Sequence, residues 1–135
     1  MVWLAVCTST MCWGRILGVM SVLIVDDHPS FRVSARRLLE AEGFEIVGEA
    51  GDGQTAITLA QELQPDVVLL DVQMPDLDGF EVAARLADLG LRSAVVLTSN
   101  RSRAEYGPLL AEAAVRGFVP KDELSGAALT GLLSP

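Results

Sequence analysis

Five side chains capable of chemistry stand at or just beyond the ends of short apolar runs in a chain of 135 residues. Asp26 and Asp27 follow Val22–Val25, Asp71 follows Val67–Leu70, Thr98 follows Ala94–Leu97, and Lys121 comes two residues after Gly117–Val119 as the only lysine present. Brought together, the carboxylates would repel one another and coexist at neutral pH only with a proton or a cation. Hard oxygen donors with no nearby imidazole or thiolate pair select magnesium, which keeps several of its waters. In a cluster neutralised in that way, one carboxylate oxygen can attack an activated phosphorus. The oxygens of the transferring group then need the cation, an ammonium and a hydroxyl donor, and Lys121 and Thr98 supply the last two. Singly, each of these residues has a plainer reading. An aspartate after a strand is often a turn residue or helix cap, Thr98 alone is a strand-end hydroxyl, and Lys121 alone is a solvated lysine. Their joint placement carries the inference. His28, beside Pro29, reads as loop filler, Met74 as loop packing, and Gly79 as the strained turn after Asp78.

The elements that must position these residues alternate strand and helix from Met20 onward. Val22–Val25, Val67–Leu70 and Ala94–Leu97 are apolar throughout and read as strands buried on both faces. Phe44–Glu49 is half polar, which suits an edge strand. Gly117–Val119 is the last strand. A first helix starts with Ser30 at its N-cap, carries Phe31, Ala35, Leu38 and Leu39 on one face, and stops at Gly43. Thr55 to Leu63 forms a second helix, ended by Pro65, and Phe80–Leu89 a third, closed by Gly90. A fourth, Ser102 to Val115, must kink or split at Gly107-Pro108. Asp122 or Ser125 caps a final short helix that runs to about Leu133. This alternation predicts an α/β fold, a parallel sheet with helices on both faces and right-handed crossovers. In such sheets ligands bind beyond the carboxyl ends of the strands, where all five residues fall.

Composition excludes several functions. Ten basic against 18 acidic residues give a net charge of -8, and phosphate contacts need clustered cations, so direct nucleic-acid binding is not expected. No stretch reaches the run of apolar residues that a membrane span requires. Two cysteines make no disulfide scaffold, which points to a reducing cytoplasm. Residues 1–19 hold both tryptophans and both cysteines but no acid. Arg15 follows the apolar run rather than preceding it, so the segment does not match a signal peptide. It reads as an extension outside the fold, with Met20 the natural start and residues 20–135 the domain.

Four motifs now carry a resemblance: Val25-Asp26-Asp27-His28-Pro29, Asp71 through Gly79, Val96-Leu97-Thr98-Ser99, and Gly117-Phe118-Val119-Pro120-Lys121. They resemble the receiver domain of bacterial two-component response regulators over essentially all of residues 20–135. The Asp-Asp-His-Pro opening and Val47–Gly53 resemble in particular the NarL/FixJ type, whose regulators usually carry a C-terminal helix-turn-helix. The resemblance implies a doubly wound, flavodoxin-like sheet of five strands in the order 2-1-3-4-5. It implies that Asp71 is the phosphoacceptor, and that Asp26, Asp27, Asp71 and the backbone carbonyl of Gln73 hold Mg2+. By the same resemblance Thr98 is the switch hydroxyl, Lys121 pairs with the phosphoryl group, Phe118 is the aromatic whose rotamer follows the switch, and the small Ser99 leaves room for the group to enter. The implied donor is a phosphohistidine on a sensor histidine kinase. The domain would catalyse only its own phosphorylation and dephosphorylation, and would signal through its fourth helix, fifth strand and last helix, with a phosphorylation-dependent homodimer among its partners.

Three departures from the pattern fall on or beside the output surface. Pro120 precedes Lys121 instead of following it, Gly107-Pro108 interrupts the fourth helix, and Ala114 stands where a glycine often ends that helix. A left-handed Ala114 would cost about 1 kcal/mol. The expected outputs are a downstream protein partner, or transcription control through a DNA-binding effector domain lost or cut away from this chain, which ends at Pro135 with no linker or recognition helix. A phosphorylation-independent interaction module is the alternative reading. A phosphohydrolase of the haloacid dehalogenase type would carry a second acid two residues after the nucleophile, where Gln73 stands instead.

Overall fold

The computed structural model describes residues 19–133. Residues 1–18 of the predicted extension therefore lie outside the described residues, together with 134–135. The strands are β1 (Ser21–Val25), β2 (Glu45–Ala50), β3 (Val67–Asp71), β4 (Ala94–Ser99) and β5 (Gly117–Pro120). All pair in parallel, in the order β2-β1-β3-β4-β5. The half-polar β2 is an edge strand, as its composition predicts. The three apolar strands occupy the centre of the sheet.

Alternate side chains of each strand serve opposite layers, as the two-residue period of a strand requires. Leu23, Val25, Val68, Leu70, Val95, Leu97 and Phe118 pack with helices α2 (Gly53–Leu63) and α3 (Gly79–Asp88) on one face. Val22, Ile24, Val67, Leu69, Val96 and Val119 pack on the other with α1 (Pro29–Ala41) and α6 (Gly126–Leu133). The fourth helical segment is split, as predicted, into α4 (Arg103–Tyr106) and α5 (Pro108–Glu112). Gly107 between them has φ +45°, a left-handed backbone that glycine adopts without strain. Proline then starts α5 at a position where its missing N–H leaves no helical bond unmade.

Several local readings need correction. Ser30 is not the N-cap of α1. That position belongs to His28, with Pro29 in the first turn, because proline's fixed φ suits a helix start. The fourth segment ends at Glu112 rather than Val115, since Ala113 is already extended. Ala114 is not left-handed, so the methyl carries no strain there. Gly79 does not sit in a positive-φ turn either. It is required by close approach, for a Cβ there would lie 2.7 Å from the Asp71 carbonyl oxygen and 2.9 Å from Val72 Cα. Of the two candidate caps for the last helix, Ser125 acts, its Oγ accepting from Ala128 N at 3.0 Å.

Candidate functional site

The strand order reverses between β1 and β3, and such a switch point opens a crevice beyond the carboxyl ends of the strands. Asp26 leaves β1 there and Asp71 ends β3. Thr98 is paired with Asp71 in the β3–β4 register, and Lys121 directly follows β5. Helix α1 begins at the same edge and Phe31, in its first turn, places its ring 4.7 Å from Lys121 Nζ. The structure thus brings Asp26, Asp27, Asp71, Thr98 and Lys121 to one edge of the sheet. Pro120 does not disturb this, because it ends β5 in register with Ser99 and leaves Lys121 free to turn inward.

Asp26 is wholly buried. Its Oδ1 accepts from His28 N at 2.8 Å, and its Oδ2 lies 2.6 Å from Lys121 Nζ. Asp71 is 2% exposed; its Oδ2 is 3.4 Å from the same ammonium and its Oδ1 accepts from Gln73 N at 3.3 Å. Lys121 therefore stands between two buried carboxylates. Burial, and then the neighbouring Asp26 charge, push the Asp71 carboxyl up from 3.8 to about 6, with Lys121 and the Gln73 N–H offsetting part of the rise. Asp27 is exposed at the rim. The Thr98 hydroxyl is buried and has no hydrogen-bond partner among the described residues. A buried hydroxyl left unpaired costs about 1–3 kcal/mol of desolvation, so Thr98 has an unused hydrogen bond to offer at this edge of the sheet.

Ligand atoms of Asp26, Asp27, His28 and Asp71 all lie within 4.8 Å of one another, a set that could hold a metal ion. Its carboxylates suit a hard divalent cation, and the surplus of negative charge around one ammonium favours such a guest. The donor set fits magnesium. His28 is more than the filler predicted for it: its Nδ1 lies 3.0 Å from Asp26 Oδ1 and 3.0 Å from Asp27 Oδ1. It is the only histidine of the chain, which was the one signal available in the sequence.

The loop from Val72 to Asp78 is held from both sides. Asp78 caps α3 in a capping box with Glu81, and Gly79 N donates to the Val72 carbonyl at 2.8 Å. Asp76 accepts from Gly53 N at 2.8 Å and Gln54 N at 3.0 Å, capping α2 from a distance. Those two backbone bonds hold its carboxyl below the usual carboxylate range. Met74 packs against the core as predicted. Phe118 is 2% exposed and points into the core, its ring 5.7 Å from that of Tyr106. Sequence reasoning missed Tyr106, whose hydroxyl lies 2.6 Å from Ser99 Oγ. Among the described residues, no helix is long and apolar enough to cross a membrane.

The geometry agrees with what the chain is similar to. A transcriptional regulator of Pseudomonas aeruginosa is 44% identical over 102 residues, covering 76% of this chain and 49% of the relative. The DNA-binding transcriptional activator EvgA of Escherichia coli is 33% identical over 104 residues, covering 77% of this chain and 51% of EvgA. The chain thus spans about half the length of the curated relatives it matches. Among solved structures, the signal receiver domain of NarL from Mycobacterium tuberculosis superposes with a TM-score of 0.77 at 34% identity, covering 86% of this chain and 98% of that one. Residues 22–130 match the family described as the response regulator receiver domain, and the chain belongs to that family.

Proposed function

We propose that this receiver domain takes a phosphoryl group onto Asp71 from a phosphohistidine of a sensor histidine kinase, in a reaction that depends on Mg2+. The observation that carries the reading is the buried Asp71 carboxylate beside the Lys121 ammonium, with the Thr98 hydroxyl, unpartnered among the described residues, in the adjoining register position. Asp26, Asp27 and Asp71, with the backbone carbonyl of Gln73, would hold the cation. When bound, Mg2+ supplies positive charge against the phosphoryl oxygens and the attacking carboxylate.

A free oxygen of the Asp71 carboxylate attacks phosphorus. An O–P bond forms as the P–N bond to the histidine breaks, and the electron pair leaves with the imidazole nitrogen. Lys121, already within reach of Asp71, pairs with the added negative charge. Thr98 donates its unused hydrogen bond to a phosphoryl oxygen, which moves its side chain and the end of β4. Phe118, one register step from Thr98 on β5, follows, and the surface of α4, β5 and α6 is the output.

The domain catalyses only its own phosphorylation and dephosphorylation. Because the relatives are about twice as long and two are named for transcription, the output is a DNA-binding domain or a separate protein partner, with homodimerisation as one route. Intact mass after incubation with a small-molecule phosphoryl donor tests the reading. A single adduct that requires Mg2+ and is absent from Asp71→Asn is expected, and an adduct that persists in that variant would overturn it.

A further inference from the structure

Adjacent hydroxyls at the end of β4 have opposite settings. Thr98 Oγ1 is buried without a partner among the described residues, whereas Ser99 Oγ lies 2.6 Å from the Tyr106 hydroxyl. Consecutive side chains of a strand point to opposite faces. Ser99 therefore shares its face with Val95, Leu97 and Phe118, the layer into which Tyr106 packs. The Tyr106 ring is 9% exposed and lies 5.7 Å from Phe80 and 5.7 Å from Phe118. Its hydroxyl is thus a polar group that reaches through an aromatic cluster to a single strand-end serine.

Tyr106 is also the last residue of α4, a helix of four residues followed at once by Gly107 and Pro108. So short a helix cannot hold itself, because nucleation costs more than its few hydrogen bonds return. Its position is set by what it grips. Arg103 Nη2 donates to the Phe118 carbonyl at 2.9 Å, and the Tyr106 hydroxyl meets Ser99. Arg101 N donates to the same Ser99 Oγ at 3.0 Å, so the loop entering α4 shares that anchor.

We propose that Tyr106 is a positioning residue that ties α4 to the end of β4 through Ser99, so that movement of Thr98 toward a phosphoryl group on Asp71 is passed to α4. The proposal rests on Asp71 being the phosphoacceptor. Thr98 and Ser99 are joined by one rigid peptide unit, and a buried hydroxyl pair at 2.6 Å tolerates little displacement before one partner must follow the other. The glycine and proline after Tyr106 isolate α4 from α5, leaving the short segment free to follow β4.

The chain has a single tyrosine, so isotope-labelled tyrosine gives one ring spin system from the whole protein. Phosphorylation is scored separately by intact mass on the same sample. With the adduct present, the Tyr106 resonances should move, and amide exchange of residues 100–112 should change in wild type. Tyr106→Phe keeps the ring packing, so it should fold and take the adduct to the wild-type extent while losing that phosphorylation-dependent change in exchange. A tyrosine that merely stabilised the fold would raise exchange equally in both states, and a retained difference in the variant would overturn the proposal. Unmoved tyrosine resonances in fully phosphorylated wild type would do the same. Absence of the adduct from folded wild type would overturn the Asp71 reading, and the proposal with it.

Discussion

Replacing Asp71 by Asn should stabilise the metal-free domain at neutral pH, although it removes the proposed acceptor. Asp71 is 2% exposed, and its carboxyl is pushed from 3.8 to about 6. A carboxyl with a folded pKa above its unfolded value holds its proton more tightly in the native state. Below the unfolded pKa of 3.8 both states are protonated and nothing is lost. Between 3.8 and about 6 the unfolded chain releases its proton first, so stability falls as pH rises. Above that window the native state bears the whole cost of a buried charge, which for a gap of this size is about 3 kcal/mol. Asparagine keeps the shape without the charge but gives up the attraction to Lys121, which leaves a net gain of about 1–3 kcal/mol.

The assay is urea unfolding in the presence of a chelator, at neutral pH and again near the lower end of the window. With a slope of about 1.5 kcal/mol/M, the midpoint for Asp71→Asn should lie higher than wild type by about 0.7–2 M at neutral pH. The gap should close on acidification. A variant less stable than wild type at neutral pH, or a gain of equal size at both pH values, would show that the buried Asp71 charge is not what costs the native state stability.

Other perturbations have equally definite outcomes. Thr98→Val replaces a buried hydroxyl, unpartnered among the described residues, by a methyl group, so thermal unfolding should show stability equal to wild type or higher by about 1 kcal/mol. Lys121→Met removes the ammonium between Asp26 and Asp71, and urea unfolding without metal should show a loss of about 3 kcal/mol that added Mg2+ partly restores. Gly79→Ala drives a Cβ against the Asp71 carbonyl and Val72, and denaturation should show a loss of about 1–3 kcal/mol with slower adduct formation in the mass assay.

The strand-end residues were legible because each follows a run of apolar residues too short for a helix and too apolar for a surface. Such runs place their last polar neighbour at the carboxyl edge of a parallel sheet whatever the details of the loops. Asp26, Asp71, Thr98 and Lys121 needed no finer knowledge than that. What remained hidden depends on contacts made only after the chain folds back. Asp76 caps α2 across 23 residues, and no local pattern marks an aspartate as the cap of an earlier helix. Tyr106 reads as one more apolar residue on a helix until α4 is laid against β4 and its hydroxyl finds Ser99. His28 was obscured by Pro29, which explains the helix start without assigning the imidazole that bridges Asp26 and Asp27. Gly79 was noticed for the wrong reason. Glycine is needed there because the Asp71 carbonyl comes too close for a side chain, a constraint between the end of β3 and the start of α3 rather than within one turn.

Under the proposed function Asp71, alone among the clustered carboxylates, receives the phosphoryl group. Reduction of the phosphorylated protein with borohydride converts an acyl phosphate on aspartate to homoserine, and peptide mass spectrometry then reads its position. Homoserine at residue 71, formed only when the phosphoryl donor and Mg2+ were both present, is the expected result. Homoserine at residue 26, 27 or 76, or its absence from protein that carries the adduct, would rule out Asp71 as the acceptor.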